Sequence, residues 1–379
     1  MKILISSLTY SLPNGVTVSI DSTIDGLINK GHEVIVISPR YKKTNHRPEH
    51  YQVSSSLAVK TIGSLIGKDE RTFSLTSFRE IDKIALKFKP DLYWLHTVSW
   101  AANAFEKYML KSDKIKILHY HTLVEEYGRL YGKKWGVDLM RQRSKTISNK
   151  VDAVITPSNV IKEKLNQYGV KKPIHVIPTG IAQTKNYFSK KQLCQKFNLD
   201  LNSKILLYVG RVCKEKNIES LFKLMKEIKK KQDNVFLIIV GPGEIDKFKE
   251  TAQTMKVLDK IIFAGSFPLE ETRRMYQASD VFVFASKTET QGLVIGEAMM
   301  AETAVVALDS SIQPEIYPEQ TAIVVRNEAN FPEAVLNILE DSGKREKMIK
   351  KAKDFVMKNF SQEATTEKQI KLFSSLYKK

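Results

Sequence analysis

Short runs rich in Val, Ile and Leu alternate with helix-length segments twice along this sequence, and few architectures accommodate that rhythm. The first series comprises Lys2–Ser6, Gly31–Ser38, Asp91–His96, Ile115–His121, Asp152–Pro157 and His175–Pro178, with a helix expected over Val16–Lys30. The second comprises Lys204–Gly210, Val235–Gly241, Ile261–Gly265, Val281–Ala285 and Ala304–Ala307. These runs are apolar at consecutive positions, so both faces of each strand require cover. The intervening helices supply it, which makes the sheets parallel. The fold class expected is therefore α/β, with two Rossmann-like, doubly wound domains over residues 1–180 and 181–360, joined near Pro178–Lys185. Residues 361–379 read as a terminal helix with apolar positions Ile370, Phe373 and Leu376. A length of 379 residues suits two such domains with a shared cleft better than one. Ligands of these sheets bind beyond the carboxyl ends of the strands, so functional residues are sought there.

Composition narrows the possible partners. No apolar run reaches membrane-spanning length, and Met1-Lys-Ile-Leu-Ile-Ser runs directly into a strand, so no signal peptide is expected. Cys194 and Cys213 form neither a disulfide framework nor a metal-type spacing, and a reducing, cytoplasmic setting is the default. The formal charge is +18: residues 1–180 hold 28 Lys and Arg against 16 Asp and Glu (+12), the remainder 32 against 26 (+6). Such an excess favours an anionic partner. It is densest over Arg129–Lys150, where Arg129, Lys133, Lys134, Arg141 and Arg143 are interleaved with Leu130, Tyr131, Trp135, Leu139 and Met140. That mixture suits a helix lying on anionic lipid, although its two glycines weaken the helix and its apolar side could equally be core. No recognised nucleic-acid-binding motif accompanies the charge, so nucleic acid is not an expected partner.

Four strand ends carry candidate chemistry. After the Val281–Ala285 strand, Ser286–Ala298 sets Glu289 and Glu297 eight positions apart across a turn that opens a helix. One carboxylate would sit on the loop and the other about two turns into the helix, with free backbone N–H groups between them facing negative charge. Gly292 lets that loop approach a ligand closely. Such an arrangement suits a nucleoside diphosphate with a sugar attached. After the Lys204–Gly210 strand come Arg211 and Lys216, cations suited to a diphosphate. After the first strand, Leu12-Pro-Asn-Gly15 precedes a helix, and after the Ile115 strand comes His121.

Glu289-x7-Glu297 resembles the donor-binding signature of the family 4 retaining glycosyltransferases, and the resemblance extends in order along nearly the whole chain. The string His121-Thr-Leu-Val-Glu-Glu-Tyr127, the Asn-Gly-Val at residues 14–16 and the run Glu289-Thr-Gln-Gly-Leu293 are similar to the diacylglycerol-glucosylating branch. The resemblance implies the GT-B fold, with the C-terminal helix returning to the N-terminal domain. It implies catalytic roles for His121, Glu289, Arg211 and Lys216, with His121 and Glu289 against the donor sugar and the two cations on the diphosphate. Gly15, Gly292, Leu293 and Glu297 complete the donor site, Glu297 accepting from the ribose hydroxyls. The chain departs from the family pattern at Glu302 and Ala304, where Gly and Pro are common, and at Ser310-Ser311, where a glycine pair is common. No Asp-x-Asp metal motif is placed at a sheet edge, so neither metal nor cofactor is expected beyond the nucleotide-sugar substrate. The implied reaction moves a hexose, expected to be glucose from UDP-glucose, to a hydroxyl of a membrane lipid such as diacylglycerol, at the inner face of the cell membrane. A transferase acting on a saccharide or lipid-linked saccharide in capsule or lipopolysaccharide assembly is the first alternative. A sugar-nucleotide epimerase and a non-catalytic membrane-binding scaffold follow.

Overall fold

The computed structural model describes all residues except 11, 13, 42–46, 58–70, 75, 100–102, 122–133, 287–288, 309–316 and 379, and the side chains of 56–57 and 134–135. The chain divides into two compact units, Met1–Gly180 with Gln362–Lys379, and Ile181–Ser361.

The first unit is built on a seven-stranded parallel sheet in the order β3-β2-β1-β6-β7-β8-β9. Its strands are β1 (Lys2–Ser6), β2 (Glu33–Pro39), β3 (His50–Val53), β6 (Leu92–Leu95), β7 (Ile115–His119), β8 (Ala153–Thr156) and β9 (Ile174–Val176). A separate antiparallel pair joins β4 (Ser55–Leu57) to β5 (Arg71–Phe73). Strand β3 and this pair carry no apolar run and were not expected. An edge strand exposes one side to water, so its sequence need not be hydrophobic.

The strand period of two sends alternate residues to opposite faces. Ile3, Ile5, Leu92, Trp94 and Ile117 pack on one face with Ile20, Ile24 and Leu27 of α1 (Gly15–Asn29). The terminal helix α13 (Gln362–Tyr377) adds Leu372 and Phe373 there, with Phe373 edge-on to Trp94 at 5.1 Å. That helix therefore closes the first unit, as expected. Its approach to α1 is close: a Cβ on Gly26 would lie 2.0 Å from Thr366 Oγ1. Leu4, Tyr93, Leu95 and Leu118 pack on the opposite face. They are covered by α2 (Ser77–Phe88), α3 (Ala104–Lys111) and α4 (Lys134–Ser148), through Ile81, Phe105, Met109 and Ile147.

The second unit holds a six-stranded parallel sheet in the order β12-β11-β10-β13-β14-β15. These strands are β10 (Lys204–Val209), β11 (Val235–Val240), β12 (Ile261–Gly265), β13 (Val281–Phe284), β14 (Ala304–Leu308) and β15 (Ile323–Val325). Residues of both faces merge into one core that includes Leu206, Tyr208, Ile239, Phe282 and Phe284.

In both sheets the chain runs outward from a central strand, then returns to its other side. The order reverses between β1 and β6 in one sheet and between β10 and β13 in the other. These are the switch points at which doubly wound sheets take their ligands.

Candidate active site

At the switch point of the second unit, β10 and β13 lie side by side and their carboxyl ends carry the expected cations and carboxylate. A 3-10 turn over Lys214–Lys216 follows β10, and Lys216 Nζ lies 2.7 Å from Glu289 Oε1 on the loop after β13. Both side chains are largely buried (14 and 16 % exposed), so this contact is shielded from solvent far better than a surface pair. Arg211 is 54 % exposed and forms an ion pair with the nearly buried Glu215, four residues along. Tyr208 donates its hydroxyl to the Arg211 carbonyl at 3.0 Å, which ties the loop to the strand. Burial first, and then the charge of Glu289, holds that hydroxyl well above its ordinary pKa, so it stays a donor.

Helix α10 (Leu293–Met300) begins just beyond, with Leu293 half-buried at its first position. Its N-cap is Gly292, at φ +70°, a left-handed conformation that strains any residue with a Cβ. Among the described residues no side chain caps this end; the Ile295 amide bonds to the Gly292 carbonyl at 2.9 Å, and the amides of Leu293 and Val294 stand at the helix start where a ligand could use them. Tyr317 donates its hydroxyl to the Gly292 carbonyl at 3.0 Å and fixes the turn from behind.

Glu297 lies in the second turn of α10 and is only 8 % exposed. Its carboxylate accepts from Arg273 Nε at 3.0 Å and from the Tyr276 hydroxyl at 3.1 Å. Burial works against the charge on Arg273, but the adjoining Glu297 overrides it and raises the guanidinium pKa. Burial and the same carboxylate keep the Tyr276 hydroxyl protonated. Two carboxylate oxygens offer about four acceptor positions, so capacity remains for ribose hydroxyls. Arg273 lies on α9 (Leu269–Met275) and Tyr276 is its C-cap. Sequence reading passed over both, although their spacing of three places them on one helical face.

In the first unit, Gly15 is the exposed first residue of α1. It stands at the helix start, where the missing side chain leaves room for a close approach to the backbone. Asn14 caps the helix, accepting from the Thr17 amide at 3.0 Å and donating to the Thr9 and Leu12 carbonyls at 3.1 and 3.0 Å.

At the carboxyl ends of β6 and β7 stand His96, His119 and His121. His96 Nδ1 lies 3.2 Å from His121 Nε2. His119 stacks on His121 with centroids 4.1 Å apart at 25°, and on Trp94 at 5.7 Å and 6°. Burial, with the neighbouring imidazoles adding to it, holds His96 and His119 well below the usual histidine range. His121 is half-buried just beyond the carboxyl end of the interior strand β7, and desolvation pushes it down to about 4. All three are therefore neutral near pH 7. Among the described residues, this is the group of His, Cys, Asp and Glu that could hold a metal ion, with one nitrogen from each within 4.8 Å of the others. Face-to-face stacking of His119 on His121 makes their in-plane lone pairs run side by side, whereas a metal needs them to converge.

The basic segment is only partly described. Arg129 and Lys133 lie outside the described residues, as do the side chains of Lys134 and Trp135. On α4, Leu139 is exposed, and Arg141, 41 % exposed, pairs with Asp138 at 3.0 Å. Arg143 corrects the expectation of a lipid-facing cation. It is 13 % exposed, pairs with the buried Glu106 and donates to the Ser99 carbonyl at 3.2 Å. Met140 is likewise buried in the core. Among the described residues, no helix is long and apolar enough to cross a membrane.

Residues 13–184 match the family model described as Glycosyltransferase Family 4, and residues 189–355 match that of Glycosyl transferases group 1. Alpha-monoglucosyldiacylglycerol synthase of Streptococcus pneumoniae is 30 % identical over 305 residues, covering 78 % of this chain and 68 % of the relative. Among solved structures, sucrose-phosphate synthase from Thermosynechococcus elongatus superposes with a TM-score of 0.80 at 19 % identity, covering 100 % of this chain and 99 % of that one. Anabaena HepE, solved in complex with UDP-glucose, gives a TM-score of 0.77 at 16 % identity, covering 99 % and 100 %.

Proposed function

The chain belongs to the family 4 glycosyltransferases, and from that membership we propose that it moves glucose from UDP-glucose to the hydroxyl of a membrane lipid of the diacylglycerol type. Its fold is GT-B, with one Rossmann-like sheet in each unit. The observation that carries the acceptor is the 30 % identity with a monoglucosyldiacylglycerol synthase, which spans most of both chains.

In this reading the second unit holds the nucleotide end of the donor. Departure of a nucleoside diphosphate leaves negative charge on its oxygens, and Arg211, Lys216 and the open amides of α10 stand where that charge would be offset. Lys216 is paired with Glu289, so a diphosphate taking up the lysine would release the carboxylate toward sugar hydroxyls. Glu297, held by Arg273 and Tyr276, faces the ribose in a fixed orientation. The first unit supplies His121 for the donor sugar and a basic, partly apolar segment for anionic lipid. Attack on the face the phosphate leaves, with the leaving phosphate helping to remove the acceptor's proton, retains the anomeric configuration. The chemistry assigned here uses no metal, because fixed cations meet the diphosphate charge.

The test is incubation with UDP-glucose and diacylglycerol in anionic mixed vesicles, with products resolved by mass. A hexosyl-lipid that forms only when the lipid is present supports the proposal. Transfer of the hexose to a saccharide acceptor, with UDP released and no lipid present, moves the chain to saccharide assembly, and isomerised donor without any acceptor makes it an epimerase. Vesicle binding without UDP release makes it a scaffold.

A further inference from the structure

His121 and His96 share one proton across the 3.2 Å contact between Nε2 of the first and Nδ1 of the second. Each ring is neutral, so one nitrogen donates and the other accepts. The surroundings decide which. His96 Nε2 is buried and has no hydrogen-bond partner among the described residues, and the same holds for the indole Nε1 of Trp94. The two rings are neighbours, with centroids 4.7 Å apart. The indole N–H can only donate. If His121 donated to His96, the His96 proton would sit on Nε2 and add a further unpartnered donor to those of the Trp94 indole and the neutral His119 imidazole, whose two nitrogens are likewise without a partner among the described residues. If His96 donates from Nδ1, its Nε2 is left as an acceptor, and this buried layer holds one unpartnered donor fewer.

We propose that His96 is a positioning residue that donates from Nδ1 to His121 Nε2, so that His121 always presents an Nδ1–H donor to the oxygen-rich ligand it meets. His119, stacked between Trp94 and His121, holds the plane of that ring. A histidine with a free choice of tautomer presents a donor only part of the time, whereas a fixed one presents it in every encounter. The proposal rests on the reading of His121 as a contact of the donor sugar, but the proton position can be measured without any substrate.

The experiment is long-range proton–nitrogen correlation spectroscopy on the full chain with nitrogen-15-labelled histidine, the His121 signals being assigned by their loss in His121→Gln. The expected spectrum shows His121 Nε2 in the unprotonated range and Nδ1 in the protonated range. In His96→Phe both nitrogens should move to intermediate values as the tautomers mix. In His96→Asn, whose amide N–H takes the place of Nδ1–H, the original pattern should return. In parallel, kcat/KM for sugar transfer should fall about tenfold in His96→Phe and recover in His96→Asn, the scale of one oriented hydrogen bond. A proton found on His121 Nε2 in the unsubstituted chain overturns the proposal, as does a spectrum unchanged in His96→Phe. Stoichiometric zinc shifting all three imidazoles together would also overturn it and make the cluster a metal site. Absence of sugar transfer would sink the functional reading and leave the tautomer result standing.

Discussion

The two units repeat one topology, yet their switch points are chemically opposite. In the second unit the strand ends, and the helices beside them, carry ion pairs: Lys216 with Glu289, Arg211 with Glu215, and Arg273 with Glu297. In the first they carry three closely grouped imidazoles that are neutral near pH 7 and packed beside Trp94. A diphosphate brings charge and is best met by fixed counter-charges, whereas sugar hydroxyls are best met by neutral donors whose orientation is set by packing. The same scaffold can therefore hold either kind of chemistry at its carboxyl edge, and only the side chains at the strand ends distinguish them.

Three changes would break or sharpen this contrast. The largest effect is expected from Arg273→Ala. It strands the carboxylate of Glu297 in a buried position, and such losses cost about 3–5 kcal/mol. Denaturant unfolding should show that loss together with weaker UDP binding. Unchanged stability would mean that Glu297 finds another partner. Next, Lys216→Ala should lower kcat for UDP release by about 10²–10³, the scale for removing one preorganised charge stabiliser, and should lower the unfolding midpoint less than Arg273→Ala does, because Glu289 keeps more exposure than Glu297. Lys216→Arg should recover only part of the rate, because a planar fork does not reproduce a point charge. Full activity in Lys216→Ala would remove Lys216 from the diphosphate site, and full activity in Lys216→Arg would show that either kind of cation suffices there.

The smallest effect belongs to the neutral cluster and appears with pH. His96 and His119 have folded pKa values below the unfolded value, so the unfolded chain binds more protons as pH falls. Their contribution is fully present above about pH 6.5 and is lost as pH drops below it, by up to about 1.4 kcal/mol per pH unit for each imidazole. Thermal unfolding between pH 6.5 and 5 should therefore fall more steeply in the unsubstituted chain than in His119→Phe. Parallel curves would show that His119 is protonated in the folded state.

Legibility from sequence followed the physical signal at each position. Buried parallel strands announce themselves as consecutive apolar residues, so β1, β10 and β11 were placed to within a residue of their ends. Edge strand β3 reads His-Tyr-Gln-Val and gives no such signal, because water covers one of its sides. Lys216 and Glu289 could be singled out because they follow buried strands at the positions of the family's motifs, and the structure brings the two side chains together. Arg273 could not, since Glu-Glu-Thr-Arg-Arg resembles any solvated helix until its packing is seen. Arg143 was misjudged for the converse reason. Composition counts it as a surface cation, but Glu106 draws it inward on α4. His96 was passed over because a single histidine ending a strand gains meaning only when β7 brings His119 and His121 beside it.

Amide hydrogen exchange with and without saturating UDP tests the division of labour most directly. The account predicts that UDP slows exchange in the segments around residues 209–217 and 289–300 of the second unit, while the segment around His96 in the first is unchanged. Protection confined to the first unit, or absent from both second-unit segments, would contradict it.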